Sequence, residues 1–140
     1  RLYYFSLGVL LLAFLMLGYI AYMLFEPFDE PLVVQPFEVL NEDKTVQRGE
    51  NLIFVMEITK YENIPVTNIK NIVCEDGNLV TLAPSLTNIP VGTHKIITEQ
   101  PIPHKTSLGK CVLMFQQTYQ INSIKQVNRE RETEWFTVMP

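Results

Sequence analysis

Cysteine and histidine are scarce, with two of each in 140 residues. So few ligands leave little for a structural zinc site. Basic residues are also outnumbered, 11 Lys and Arg against 15 Asp and Glu, for a formal net charge of -4. No basic face is available to meet phosphate, which excludes nucleic acid as an expected partner. No G-x-S-x-G, P-loop, HExxH or CxxC motif occurs, and no spaced D-x-D set suits calcium. These absences point away from an enzyme. No cofactor, metal or small-molecule substrate is expected.

Charge is missing altogether from Leu2 to Phe25. Within that run, Leu7 to Phe25 also lacks Asn, Gln and Pro. As a helix the run would be roughly 36 Å long, at about 1.5 Å per residue. A bilayer core of about 30 Å needs about 20 such residues. Tyr3, Tyr4 and Phe5 flank one end, and Tyr19, Tyr22, Phe25 and Phe28 the other. Amphipathic rings of this kind favour the membrane interface. Glu26 and Pro27 stop the helix, because a charge and a ring that blocks the next turn arrive together. A cleaved signal peptide would have a shorter apolar run and a small-x-small site after it. A soluble core helix would show a polar face. Residues 1–26 therefore read as a retained transmembrane helix. Ser6, Gly8, Ala13 and Gly18 do not fall four apart, so no GxxxG-type pairing signal is present. Arg1 precedes the run, while Glu26, Asp29 and Glu30 follow it before any Lys or Arg. The positive-inside rule predicts a cytoplasmic N-terminus and an extracytoplasmic C-terminal domain.

Without the run and Arg1, the chain keeps 10 basic residues (11 less Arg1) and 15 acidic ones, the composition of ordinary globular material. Pro27, Pro31 and Pro36 make residues 27–36 an extended stalk. From 37 to 140, period-two segments alternate with turns. Leu52, Phe54, Met56 and Ile58 can share one face, and Glu75-Asp76-Gly77-Asn78 is a hairpin signal. The longest strand is expected at KCVLMFQQTYQIN, and the predicted core draws on Leu52, Phe54, Val112, Leu113, Met114, Tyr119 and Phe136, with the inward alternate set on the long strand left open. No segment after Phe28 shows a helical period. About seven strands at this spacing form the pattern of an immunoglobulin-like antiparallel β-sandwich. A parallel α/β fold would need helices between the strands.

Cys74 lies just before the Glu75–Gly77 turn, and Cys111 opens the longest strand. A disulfide between them would close a loop of about 37 residues, contributing roughly 3–4 kcal/mol in the chain-entropy picture. The alternative is two buried thiols acting as small apolar groups. His94 and His104 sit in turn-rich polar settings, which suits solvated side chains rather than a Cys-His nucleophile pair. Glu75 with Asp76, and Glu42 with Asp43, read as turn formers rather than paired catalytic carboxylates. The run RERETE, Arg129 to Glu134, reads as the exposed face of an edge strand, where charge blocks edge-to-edge pairing. Its functional alternative is a docking ladder. Three loops carry apolar residues in polar surroundings: Tyr61 to Asn68 with Ile64 and Pro65, Ala83 to Gly92 with Ile89 and Pro90, and Tyr119 to Val127 with Ile121 and Ile124. Either these residues pin the loops to the core, or they form an interface with a protein partner or another copy of the chain.

TNIPVG (Thr87 to Gly92), PIP (Pro101 to Pro103), TYQIN (Thr118 to Asn122), TEWFTV (Thr133 to Val138) and FEPF (Phe25 to Phe28) are spread over most of the chain. In these stretches it resembles small single-pass membrane proteins of tailed bacteriophages with a C-terminal β-sandwich domain. The matching residues are turn and strand-end positions, which specify fold more than chemistry. The resemblance implies a phage source and a membrane-anchored β domain, and it carries over no catalytic residue. The leading expectation is a non-catalytic binding or structural module, held in the lipid bilayer and presenting its β domain outside the cytoplasmic membrane. The alternative is a virion or pilin-like filament subunit with apolar N-terminal helices bundled in its core.

Overall fold

The computed structural model describes residues 1–27 and 30–140. Phe28 and Asp29, which belong to the FEPF stretch and to the flank of the helix, lie outside the described residues. The chain is mostly β-structure, with one apolar helix near the N-terminus. It forms two units: Arg1–Asp29 with Gln120–Val127, and Glu30–Tyr119 with Asn128–Pro140.

In the first unit, α1 (Leu2–Phe25) runs for 24 residues and none of them is buried. It has no polar stripe because its sequence offers none. The helix is long and apolar enough to cross a membrane, with a mean hydropathy of 2.3. Glu26 leaves the helix at φ -55°, ψ 123°. That extended conformation is what the ring of a following proline requires of the preceding residue. The last carbonyls of a helix lack intrahelical donors. Here segment 120–127 supplies them: the Asn122 carboxamide donates to the Met23 carbonyl at 2.7 Å and Lys125 Nζ to the Glu26 carbonyl at 3.1 Å. A lysine at this position also complements the negative end of the helix dipole.

The second unit holds two sheets. In the first, β1 (Leu32–Val34) and β2 (Glu38–Val39) pair antiparallel with β4 (Asn51–Lys60). On its other edge β4 pairs over ten residues with β8 (Gly92–Pro101). The second sheet has the order β3 (Thr45–Gln47), β11 (Phe136–Met139), β9 (Gly109–Gln120), β5 (Val66–Cys74), β6 (Leu79–Thr81). In addition, β7 (Ser85–Thr87) pairs with β5 and β10 (Gln126–Glu132) with β9. The β3–β11 pairing is parallel, whereas β11–β9, β5–β6, β5–β7 and β5–β9 are antiparallel.

Alternation along β4 and β9 builds the core. Leu52, Phe54 and Ile58 are buried on one face of β4, as the period-two pattern predicts. On β9 the odd positions, Cys111, Leu113, Phe115, Gln117 and Tyr119, are all buried. Phe54 of the first sheet and Phe115 of the second meet at 5.8 Å between ring centroids, and Phe37 packs 5.0 Å from Phe115. The two sheets therefore share one apolar interior. Met114, expected in the core, is only half-buried. Its even position turns it to the opposite face of β9, since successive side chains of a strand alternate. Eleven strands are described where about seven were expected. The extra ones are short pieces in proline- and turn-rich stretches. One of them, β1, lies within the predicted stalk: its residues pair with Ile58–Lys60 and bury Leu32 and Val34.

Candidate functional site

Glu30 opens the second unit and binds at one end of its long strands. Its carboxylate accepts hydrogen bonds from Arg129 Nε at 2.9 Å and Nη2 at 2.5 Å, and from the Tyr119 hydroxyl. Burial by itself would raise the Glu30 carboxyl. The bonds from Tyr119 and Arg129, with the charges of Arg129 and Arg131, outweigh burial and hold it below the usual carboxylate value. Burial and the bond to Glu30 push the Tyr119 phenol up to about 12. A base already held as an ion pair and a phenol made less acidic are poorly suited to proton transfer at neutral pH. The constellation ties the chain's first residues in this unit to β9 and β10. Pairing of β1 with the end of β4 adds a second tie, and the Tyr61 N–H donates to the Pro31 carbonyl at 2.8 Å.

Between the sheets, beside β8, lies a cavity of about 110 Å³. Phe54, Met56 and Phe115 contribute its apolar wall, while Lys70, Gln100 and Gln117 contribute polar groups. Lys70 Nζ donates to Gln100 Oε1 at 3.3 Å, linking β5 to β8 across the two sheets. This volume suits one small side chain or a few waters, below the size of ligand pockets of about 300–1,000 Å³. Among the described residues, no group of three or more His, Cys, Asp or Glu side chains is placed to hold a metal ion.

Cys74 and Cys111 face each other in the β5–β9 register and are joined at an S–S distance of 2.06 Å. Adjacent strands of one sheet carry this bridge. The apolar loop residues divide between the two units. Ile121 is half-buried and Ile124 is exposed, in the segment whose polar residues cap α1. In the other unit, Ile64 and Ile89 are half-buried, and Pro65 and Pro90 are exposed. Both of these latter loops leave the first sheet at its Lys60–Gly92 end. There Lys60, buried at 1% exposure, donates from Nζ to the Ile89 carbonyl at 2.9 Å. Val66 to Asn68, expected in a loop, belong to β5 and pair with β7 and β9.

The charged run RERETE divides by face. Arg129 and Arg131 are half-buried on the side of Glu30, and Glu130 and Glu132 are exposed. It is therefore not a wholly solvated ladder, because alternation turns the arginines toward the Glu30 carboxylate. Glu134 leaves the pattern. It pairs with Lys44 at 2.7 Å and accepts the Val39 N–H at 2.7 Å, and these two bonds lower its pKa. Sequence reasoning missed the Glu30 constellation and buried Lys60. Both depend on partners far away along the chain, although inward-facing charge on an alternating strand is a usable signal. Comparison with protein-family models finds no match for this chain, and comparison with curated proteins finds none.

Proposed function

We propose that the chain is a membrane-anchored, non-catalytic interaction module that presents an immunoglobulin-like β domain outside the cytoplasmic membrane. The observation that carries this reading is α1: 24 residues with no charge and none buried. A helix apolar all round needs an apolar surrounding. The acidic flank, with Arg1 on the other side, favours the N-terminus inside. The strand order supports the immunoglobulin-like assignment. Strand β4 lies between β1/β2 and β8 as B lies between A and E, and β9 lies between β11 and β5 as F lies between G and C. A departure is the disulfide, which joins neighbouring strands of one sheet rather than the two sheets. A binding or structural role fits a domain whose Glu30 constellation is a closed ion pair and whose cavity between the sheets is about 110 Å³.

Carbonate washing of membranes and protease added to intact spheroplasts test this reading. Retention of the chain in the pellet and digestion of the β domain are expected. Release by carbonate would remove the span, and a protected domain would reverse the orientation. A second reading, a virion or filament subunit, is favoured by the same uniform helix, since a bundle of copies covers apolar surface as well as lipid does. Filaments in negative-stain images of purified material would select it.

A further inference from the structure

We propose that β8 pairs antiparallel with β8 of a second copy across a twofold axis, joining two four-stranded sheets into one.

Among the described residues, β8 is an edge strand of its sheet. Leu40 N–H donates to the Ile53 carbonyl and Gln35 N–H to the Glu57 carbonyl, so odd residues of β4 point their backbone groups toward β1 and β2. Even residues of β4 therefore bond β8, through Gln100, Thr98, Ile96 and His94 in the observed register. In an antiparallel ladder, a residue's N–H and C=O point to the same side. Thr93, Lys95, Ile97 and Glu99 thus aim their backbone groups away from β4. Among the described residues, β8 pairs with no other strand. This is a ten-residue edge with proline only at its end. Such an edge is a template for another strand unless something blocks it.

The side chains select the occupant. The odd residues are also the exposed ones, and Ile97 at the centre is 66% exposed. Placing Ile97 opposite its own copy puts Lys95 opposite Glu99 of the second chain, and Glu99 opposite Lys95. The even face then sets Ile96 against Thr98. A twofold pairing is isologous, so each favourable pair occurs twice. Opposite charges directly across strands stabilise, and like charges destabilise. Moving the register by one pair in either direction places Lys95 against Ile97 or Pro101, and the charge match is lost. The edge strand β10 behaves in the opposite way: centring it on Arg131 would set exposed Glu130 against Glu132. The strand that carries like charge on its exposed face is protected, and the strand with a symmetric Lys–Ile–Glu face is not.

This pairing deepens the reading of an interaction module by naming the partner, and it rests on that reading. The test uses the purified full chain in lipid nanodiscs. All native cysteine is in the Cys74–Cys111 bridge, so the wild type is the uncrosslinked control. Under mild oxidation, Ile97→Cys should yield covalent dimers. A mixture of Lys95→Cys and Glu99→Cys chains should crosslink several-fold faster than either alone. Lys95→Glu should raise the dimer dissociation constant about tenfold, and Lys95→Glu with Glu99→Lys should restore it. Folding of each variant is checked by circular dichroism. A folded Ile97→Cys chain that stays monomeric on oxidation would overturn the pairing. So would Lys95→Cys crosslinking alone as fast as the mixture, or a dissociation constant unmoved by Lys95→Glu. Carbonate retention of the same samples is read separately, so loss of the pairing is distinguishable from loss of the membrane anchor.

Discussion

Arg129 grips Glu30 through two guanidinium nitrogens, Nε at 2.9 Å and Nη2 at 2.5 Å, across 99 positions of sequence. Two-point contacts of this kind fix orientation as well as charge. Here they hold the first residues of the β domain against the β9–β10 hairpin, and the Tyr119 hydroxyl closes the group.

Replacing Glu30 with Gln should destabilise the domain by about 1 kcal/mol at neutral pH, a value kept small because both partners are more than one-third exposed. The pH profile gives a sharper signature. Glu30 has a lower pKa folded than its ordinary value of 4.5. The unfolded chain therefore takes up the proton first as pH falls. The stability contributed by Glu30 is present above pH 4.5 and is lost as pH falls through the lower folded value. Thermal melts between pH 7 and pH 3 should show this loss in the wild type and a shallower one in Glu30→Gln.

At the alkaline side, Tyr119 should titrate near its raised value of about 12. The folded state holds the phenolic proton more tightly than the unfolded chain. Stability from this group is therefore full below the ordinary value of 10.0 and is lost as pH rises through about 12. An ultraviolet absorbance titration checks this, and Tyr119→Phe should remove the late step.

Removing the bridge with Cys74→Ala and Cys111→Ala should cost roughly 3–4 kcal/mol, since it closes a loop of 37 residues. Urea unfolding under oxidising conditions would show the loss. Adding reductant should then affect the wild type but not the double variant.

Phe54→Ala should cost about 3–5 kcal/mol, because the ring is fully buried and packs against both Phe37 and Phe115. A calorimetric melt would measure it. A change below about 1 kcal/mol would mean that the two sheets do not depend on this aromatic cluster.

The loop isoleucines should separate. Ile64→Ser and Ile89→Ser remove half-buried groups and should each lower stability by about 1 kcal/mol. Ile124 is 43% exposed, so Ile124→Ser should leave stability within about 0.5 kcal/mol. Thermal melts read the first effect. Loss of self-association in Ile124→Ser without a change in melting would make that residue part of an interface.

Local pattern was enough for the helix and for most strands. An uncharged run closed by Glu26-Pro27 reads as one helix long and apolar enough to cross a membrane, and alternation on β4 sorts Leu52, Phe54 and Ile58 inward whatever its neighbours are. Both signals arise from side chains within a few residues of each other. Pairing depends on residues far apart in sequence. Short stretches such as Leu32–Val34 are strands because β4 offers them an edge, and the prolines around them read as stalk until that edge is in place. The inward set on β9, the juxtaposition of Cys74 with Cys111 and the capture of Glu30 by Arg129 were decided by the tertiary structure. Register brings such partners within bonding distance, and no local propensity encodes a register between strands 37 or 99 residues apart.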